Sequence, residues 1–117
     1  MDERPAVGRR GEDLAASELT SRGFEVVARN VRGSCGELDI IARRGNLLVF
    51  CEVKTRRSDR FGMPAEAVAY PKQQRIRRLA GEWLRAHRPR VSEVRFDVVS
   101  VVAAGGKAEV THIPGAF

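Results

Sequence analysis

Apolar positions in this chain switch between helical and strand spacing, and the switches mark its elements. From Gly8 to about Arg22 they recur at helical intervals, with Glu12, Ala15, Ala16 and Leu19 on one stripe and Gly23 as a C-terminal stop. Phe24 to Arg29 reads as a strand, and Asn30 to Gly36 as a Gly/Ser-containing connection. Two apolar runs, Glu37 to Ala42 and Leu47 to Lys54, flank Gly45-Asn46 and predict a β-hairpin with a two-residue primed turn. Pro64 to Ala69 is expected to form a short helical turn. Pro71 fits the first turn of a second helix reaching about His87, with Ile76, Leu79, Ala80, Trp83, Leu84 and His87 on its apolar stripe. Val94 to Val102 is a long β-prone run, and Ala104-Gly105-Gly106 turns it back into Ala108 to Ile113. The order α-β-β-β-α-β-β predicts an α/β fold, a mixed central sheet flanked by helices. It forms one domain over residues 1–117, with 1–7 as a mobile tail.

The hairpin carries the chemistry. Counting back from Gly45-Asn46, Arg44 faces Leu47, Ile41 faces Phe50, Asp39 faces Glu52 and Glu37 faces Lys54. Strand alternation then puts Asp39, Glu52 and Lys54 on one side, with Leu38, Ile40, Ala42, Val49, Cys51 and Val53 on the other. Both strands are otherwise apolar on both faces, as in the middle of a covered sheet. Two carboxylates directly opposite each other repel, more so where the dielectric is low. A shared proton, Lys54 or a divalent cation would offset that repulsion, and hard oxygen ligands suit Mg2+ or Mn2+. The plainer alternative is a salt-bridged patch neutralised by Lys54 and nearby arginines. Glu12 lies in line with an apolar face, either reaching the same acids or resting at the rim of the first helical turn.

The net charge of +6, with a sequence pI near 10.3, favours a polyanionic partner such as nucleic acid. Most of the basic residues are arginine, so coding bias shares in that excess. Arg56, Arg57 and Arg60 follow Lys54 in a polar loop and are placed to hold phosphates. Lys72 and Gln73 continue the inner stripe of the second helix backwards toward the hairpin acids, whereas Arg75, Arg77, Arg78 and Arg85 lie mainly outside. Cys35 and Cys51 have no metal-type spacing, Trp83 reads as a core anchor, and Asp97 as a structural acid paired with an arginine. His112 has no partner in the sequence pattern. The polar first residues lack a signal-peptide core and no apolar run approaches ~20 residues, so a cytoplasmic protein is expected.

Gly8-Arg9-Arg10-Gly11-Glu12, Gly36-Glu37-Leu38-Asp39-Ile40-Ile41, Val49-Phe50-Cys51-Glu52-Val53-Lys54 and Arg95-Phe96-Asp97-Val98-Val99 together resemble the YraN-like family, also called UPF0102. That family looks like a branch of the PD-(D/E)xK nuclease superfamily and is similar to archaeal Holliday junction resolvases. The resemblance runs from Gly8 to about Val102 and implies a restriction-endonuclease-like core. It implies metal-ligand roles for Asp39 and Glu52, with Glu12 as a further acid, and a role for Lys54 in orienting or deprotonating the attacking water. Gln73, with Gln74 as the alternative, matches a polar helix position near the site. Leu38 stands where the superfamily's name has proline. The implied function is Mg2+- or Mn2+-dependent hydrolysis of DNA phosphodiester bonds, with branched DNA as the substrate class. Arg9, Arg10, Arg56, Arg57, Arg60, Lys72 and Arg75 would contact nucleic acid, and a homodimer would cut two strands symmetrically. The alternative is a nuclease-like fold that binds nucleic acid without cutting it.

Overall fold

The computed structural model describes residues 6–57 and 68–117. The chain runs α1 (Ala6–Ser21), β1 (Glu25–Gly33), β2 (Gly36–Arg44), β3 (Leu47–Arg56), α2 (Tyr70–His87), β4 (Glu93–Ala104) and β5 (Lys107–Ile113). This is the mixed α/β order that the hydrophobic pattern predicts. Helix α1 includes Ala6 and Val7, which were expected in a tail, and the rest of that expected tail, residues 1–5, lies outside the described residues. Arg60, the side chain of Arg9 and most of the expected turn over Pro64 to Ala69 lie outside the described residues.

The five strands form one sheet in the order β1-β2-β3-β4-β5. Every neighbouring pair is antiparallel except β3 and β4, which run parallel. A parallel connection needs a crossover, and α2 lies on it. Helix α1 covers one sheet face through Ala15 and Leu19, against Ile40, Ala42, Val49, Cys51, Val99 and Val101. Helix α2 covers the other through Ile76, Leu79, Ala80 and Trp83, against Ile41, Leu48, Phe50 and Val98. Trp83 meets Phe50 edge-on, with ring centroids 6.1 Å apart, and is the core anchor expected of it. Burial on both faces explains why β2 and β3 are apolar at nearly every position.

Three local devices shape this frame. Gly45 takes φ 60° in the β2–β3 turn, a left-handed position that glycine occupies without strain. Gly11 lets α1 settle on the end of β3, because a Cβ there would fall 2.1 Å from Thr55 Oγ1. Asn30 adopts φ 54°, the left-handed conformation that asparagine tolerates better than most side chains. It keeps β1 paired with β2 as far as Gly33↔Gly36, where the sequence suggested an open connection from Asn30. Polar residues fit there because β1 is an edge strand with one side toward water.

Alternation also breaks at Asn30. Ile40 packs under α1, yet Leu38, two residues away, packs under α2. The expectation that Leu38 shares a face with Ile40 and Ala42 therefore fails. The expected rungs Arg44↔Leu47 and Ile41↔Phe50 form, but the β2–β3 pairing ends at Ile40↔Cys51, so no Asp39↔Glu52 or Glu37↔Lys54 rung exists.

On the α1 face, Asp97 is fully buried and fully engaged. It accepts two hydrogen bonds from Arg95, at 2.8 and 2.9 Å, one from the Gly115 amide at 2.9 Å and one from His112 Nε2 at 2.7 Å. Asp97 is thus the structural acid the pattern suggested, whereas His112, expected to stand alone, is its partner. Burial pushes the Asp97 carboxyl up, but the donors from His112, Arg95 and Gly115 outweigh that and bring it to about 2. No helix among the described residues is long and apolar enough to cross a membrane.

Candidate active site

Where β2 and β3 part, the backbone ladder leaves the Val53 amide without a strand partner, and Asp39 supplies one. Its Oδ2 accepts the Val53 N–H at 2.9 Å, a side chain standing in for a rung. This brings the half-buried Asp39 carboxyl into hydrogen-bonding contact with that of Glu52, which is 7% exposed. Burial, then the charge of Glu52, pushes the Asp39 carboxyl up to about 7; the Val53 N–H and Lys72 pull the other way without offsetting them. One proton shared between two carboxyls is the arrangement that like charges at this range favour. The two acids therefore meet as expected, by a different route from direct opposition.

Lys72, from the first turns of α2, places Nζ 2.9 Å from Glu52 Oε1. The sequence reading set it aside for nucleic acid; the structure gives it to a site carboxylate. Lys54 is half-buried on β3 two residues beyond Glu52, and no described carboxylate lies within ion-pair distance of it. Its neighbour in the parallel register is Ser100, whose buried Oγ has no hydrogen-bond partner.

Other expected members are held elsewhere. Glu12 is buried on α1, with Oε1 3.8 Å from Arg29 Nη2, and Arg29 also meets Asp13 at 2.7 Å. Among the described residues no group of three His, Cys, Asp or Glu side chains is placed to share an ion, so Glu12 does not join Asp39 and Glu52. Gln73 donates its amide to the Val68 carbonyl at 2.9 Å, bracing the entry to α2. Arg75 lies over the β1–β2 turn, with Gln74 beside it on an exposed surface. Arg10 and Arg57 flank a cavity on the α1 face, and Arg56 is half-buried at the end of β3.

Two carboxylates from adjoining strands meet the needs of a small hard cation, since Mg2+ is commonly held by one or two acids, waters and substrate phosphate. Asp39 and Glu52 fit that role. The profile of "Uncharacterised protein family UPF0102" matches residues 11–101, taking in most of the first helix, the acid-bearing hairpin and most of β4. The chain belongs to family UPF0102. It is 51% identical over 113 residues to a UPF0102 protein of Rhodococcus opacus, covering 96% of each chain. A UPF0102 protein of Frankia casuarinae is 50% identical over 118 residues, the full length of both. One from Dictyoglomus turgidum is 46% identical over 114 residues, covering 95% of this chain and 96% of that one.

What the sequence missed in this UPF0102 chain differs in kind. The Lys72–Glu52 pair was partly signalled, because Lys72 lies on the inner stripe of α2. The Asp97–His112 pair was legible from the Gly105-Gly106 turn: counting back sets His112 opposite Val99, on the same face as Asp97. The exchange of a ladder bond for the Asp39 side chain had no sequence signal. Ser100 had none either.

Proposed function

We propose that this chain is a divalent-metal-dependent endonuclease that hydrolyses DNA phosphodiester bonds. The observation carrying this reading is the Asp39–Glu52 pair, two largely buried acids held in contact, with Lys72 bonded to Glu52. An ordinary structural patch has no use for such a pair. Mg2+ or Mn2+ held by Asp39 and Glu52 supplies Lewis-acid polarisation of the phosphodiester. Lys54 follows Glu52 by two residues on the same face of β3, where it would orient the attacking water and take up charge developing on the phosphoryl oxygens. Lys72 is paired with Glu52 at 2.9 Å, and with an ion held by Glu52 it would be free to meet the substrate phosphate. The resemblance to junction resolvases favours branched DNA as substrate and a homodimer as the cutting species.

The decisive experiment is a cleavage panel of linear, flapped and four-way DNA with Mg2+ or Mn2+, run beside Lys54→Ala. Cleavage by wild type and its loss in the variant is the expected result; wild-type protein that cuts none of these substrates ends the proposal. The Lys72–Glu52 ion pair favours a second reading, a nucleic-acid-binding module whose acids are neutralised without a metal. On that reading Mn2+ leaves the melting temperature unchanged.

A further inference from the structure

Arg10, Arg57 and Lys107 stand around a cavity of about 370 Å3 on the α1 face of the sheet. Leu14, Val101 and Ala108 give it an apolar lining, and no acidic residue lines it among the described residues. That volume lies within the ~300–1,000 Å3 typical of small-molecule sites. Its position follows from the topology. Thr55 and Val101, both lining it, are partners on the parallel strands β3 and β4. The cavity therefore lies near the carboxyl ends of the two parallel strands. One rung earlier, Lys54 and Ser100 face the opposite side of the same strands, toward the acid pair. Gly105 and Gly106 leave the outer rim open, with nothing within 4 Å of where their side chains would begin.

The lining selects its occupant from two directions. A bare inorganic anion would leave the apolar lining unmatched, and a neutral apolar molecule would leave three cations crowded without a counter-charge. A flat, largely apolar body joined to phosphate satisfies both. We propose that the cavity binds the terminal nucleotide of a DNA strand whose end carries a phosphomonoester. The base lies on Leu14, Val101 and Ala108, and Arg10, Arg57 and Lys107 hold the phosphate. A phosphomonoester carries about −1.5 to −2 charge at neutral pH. Three cations thus match that group together with the phosphodiester next to it. The choice of DNA rests on the function proposed above; the phosphate-plus-base chemistry rests on the cavity itself. The cavity and the acid pair thus lie on opposite faces of the same two strands.

The test uses the full chain in EDTA, so that nothing is cleaved. Fluorescence anisotropy compares one short single strand carrying a 5′-phosphate, a 3′-phosphate or hydroxyls at both ends, with deoxynucleoside monophosphates and inorganic phosphate as competitors. One phosphorylated end is expected to bind at least about tenfold tighter than the hydroxyl strand. The monophosphates are expected to compete, and equimolar inorganic phosphate is not. Lys107→Ala should lose the end preference, and Ala108→Phe should lose it with no change in charge. Lys107 is exposed at a hairpin turn, so its variant remains decisive if Ala108→Phe does not fold. Equal affinity for phosphorylated and hydroxyl ends in wild type overturns the inference, as does an end preference that survives Lys107→Ala. A chain that cuts DNA in Mn2+ without an end preference overturns this inference alone. One that prefers phosphorylated ends but never cuts overturns only the nuclease assignment.

Discussion

Replacing Asp39 by Asn should stabilise the metal-free protein while destroying its activity. Asparagine has nearly the same shape, its carbonyl still accepts the Val53 N–H, and its amide can donate to Glu52. Only the charge is lost. In the folded wild type, burial and then Glu52 raise the Asp39 carboxyl from 3.8 to about 7. A folded-state value above the unfolded one means the stability that goes with protonation is fully present below about pH 4. It is lost as pH rises through about 7. Taken at face value the shift is worth about 4 kcal/mol at high pH. Solvent reaches this half-buried carboxyl, so about 2 kcal/mol is the better expectation. For a domain of this size that corresponds to roughly 6–10 °C in melting temperature. Thermal unfolding in EDTA at about pH 3.5 and pH 8.5 measures it. The variant should match wild type at the lower pH and melt higher at the upper, and adding Mn2+ should reverse the order by stabilising wild type alone. Equal or lower melting of Asp39→Asn at pH 8.5 would refute the account of a strained acid pair.

Asp39→Ala and Lys54→Ala should each abolish cleavage while leaving salt-dependent DNA binding largely intact, as read by gel shift across a salt series. Lys72→Gln removes the cation on Glu52 and should destabilise the chain in EDTA by about 1–2 kcal/mol while tightening Mn2+ binding measured by calorimetry. Asp97→Asn removes a fully buried charge bonded to Arg95, His112 and the Gly115 amide and should cost about 3–5 kcal/mol in urea unfolding. Because the Asp97 carboxyl is lowered to about 2, its contribution is present above about pH 4 and fades as pH falls toward 2. The acid limb of the unfolding curve should therefore flatten in the variant. Gly11→Ala drives a methyl into Thr55 and should cost about 1–3 kcal/mol, partly recovered when Thr55→Ala accompanies it.

Wherever one repeating geometry held over a whole element, the sequence was enough. The α1 stripe of Ala15 and Leu19, the α2 stripe from Ile76 to Trp83, and the rungs nearest the Gly45 turn all follow from period and turn chemistry. Legibility failed where one residue interrupts the repeat. Asn30 in the left-handed region reverses the facing of Leu38, and no rule of alternation foresees that. Tertiary docking was the second obstacle. Lys72 meets Glu52 across a crossover of 20 residues, and the direction of its side chain depends on how α2 seats on the sheet. Glu12 shows the reverse case: its place on the inner stripe of α1 was readable, but its neighbour Arg29 was not. The meeting of Asp39 and Glu52 was legible because each lies near the end of the pairing, where a small departure from ideal register still leaves them adjacent.

On the proposed metal-dependent function, the Lys72–Glu52 pair would make one helix part of the ion's own equilibrium. A cation entering beside Glu52 would have to dislodge an ammonium anchored to α2, so occupancy and the seating of that helix would be linked. Linkage is reciprocal: whatever loosens the start of α2 changes ion affinity by the same factor that the ion changes its binding. A substrate phosphate that draws Lys72 away would thereby recruit its own cofactor, and the chain would arm itself only when DNA is already in place.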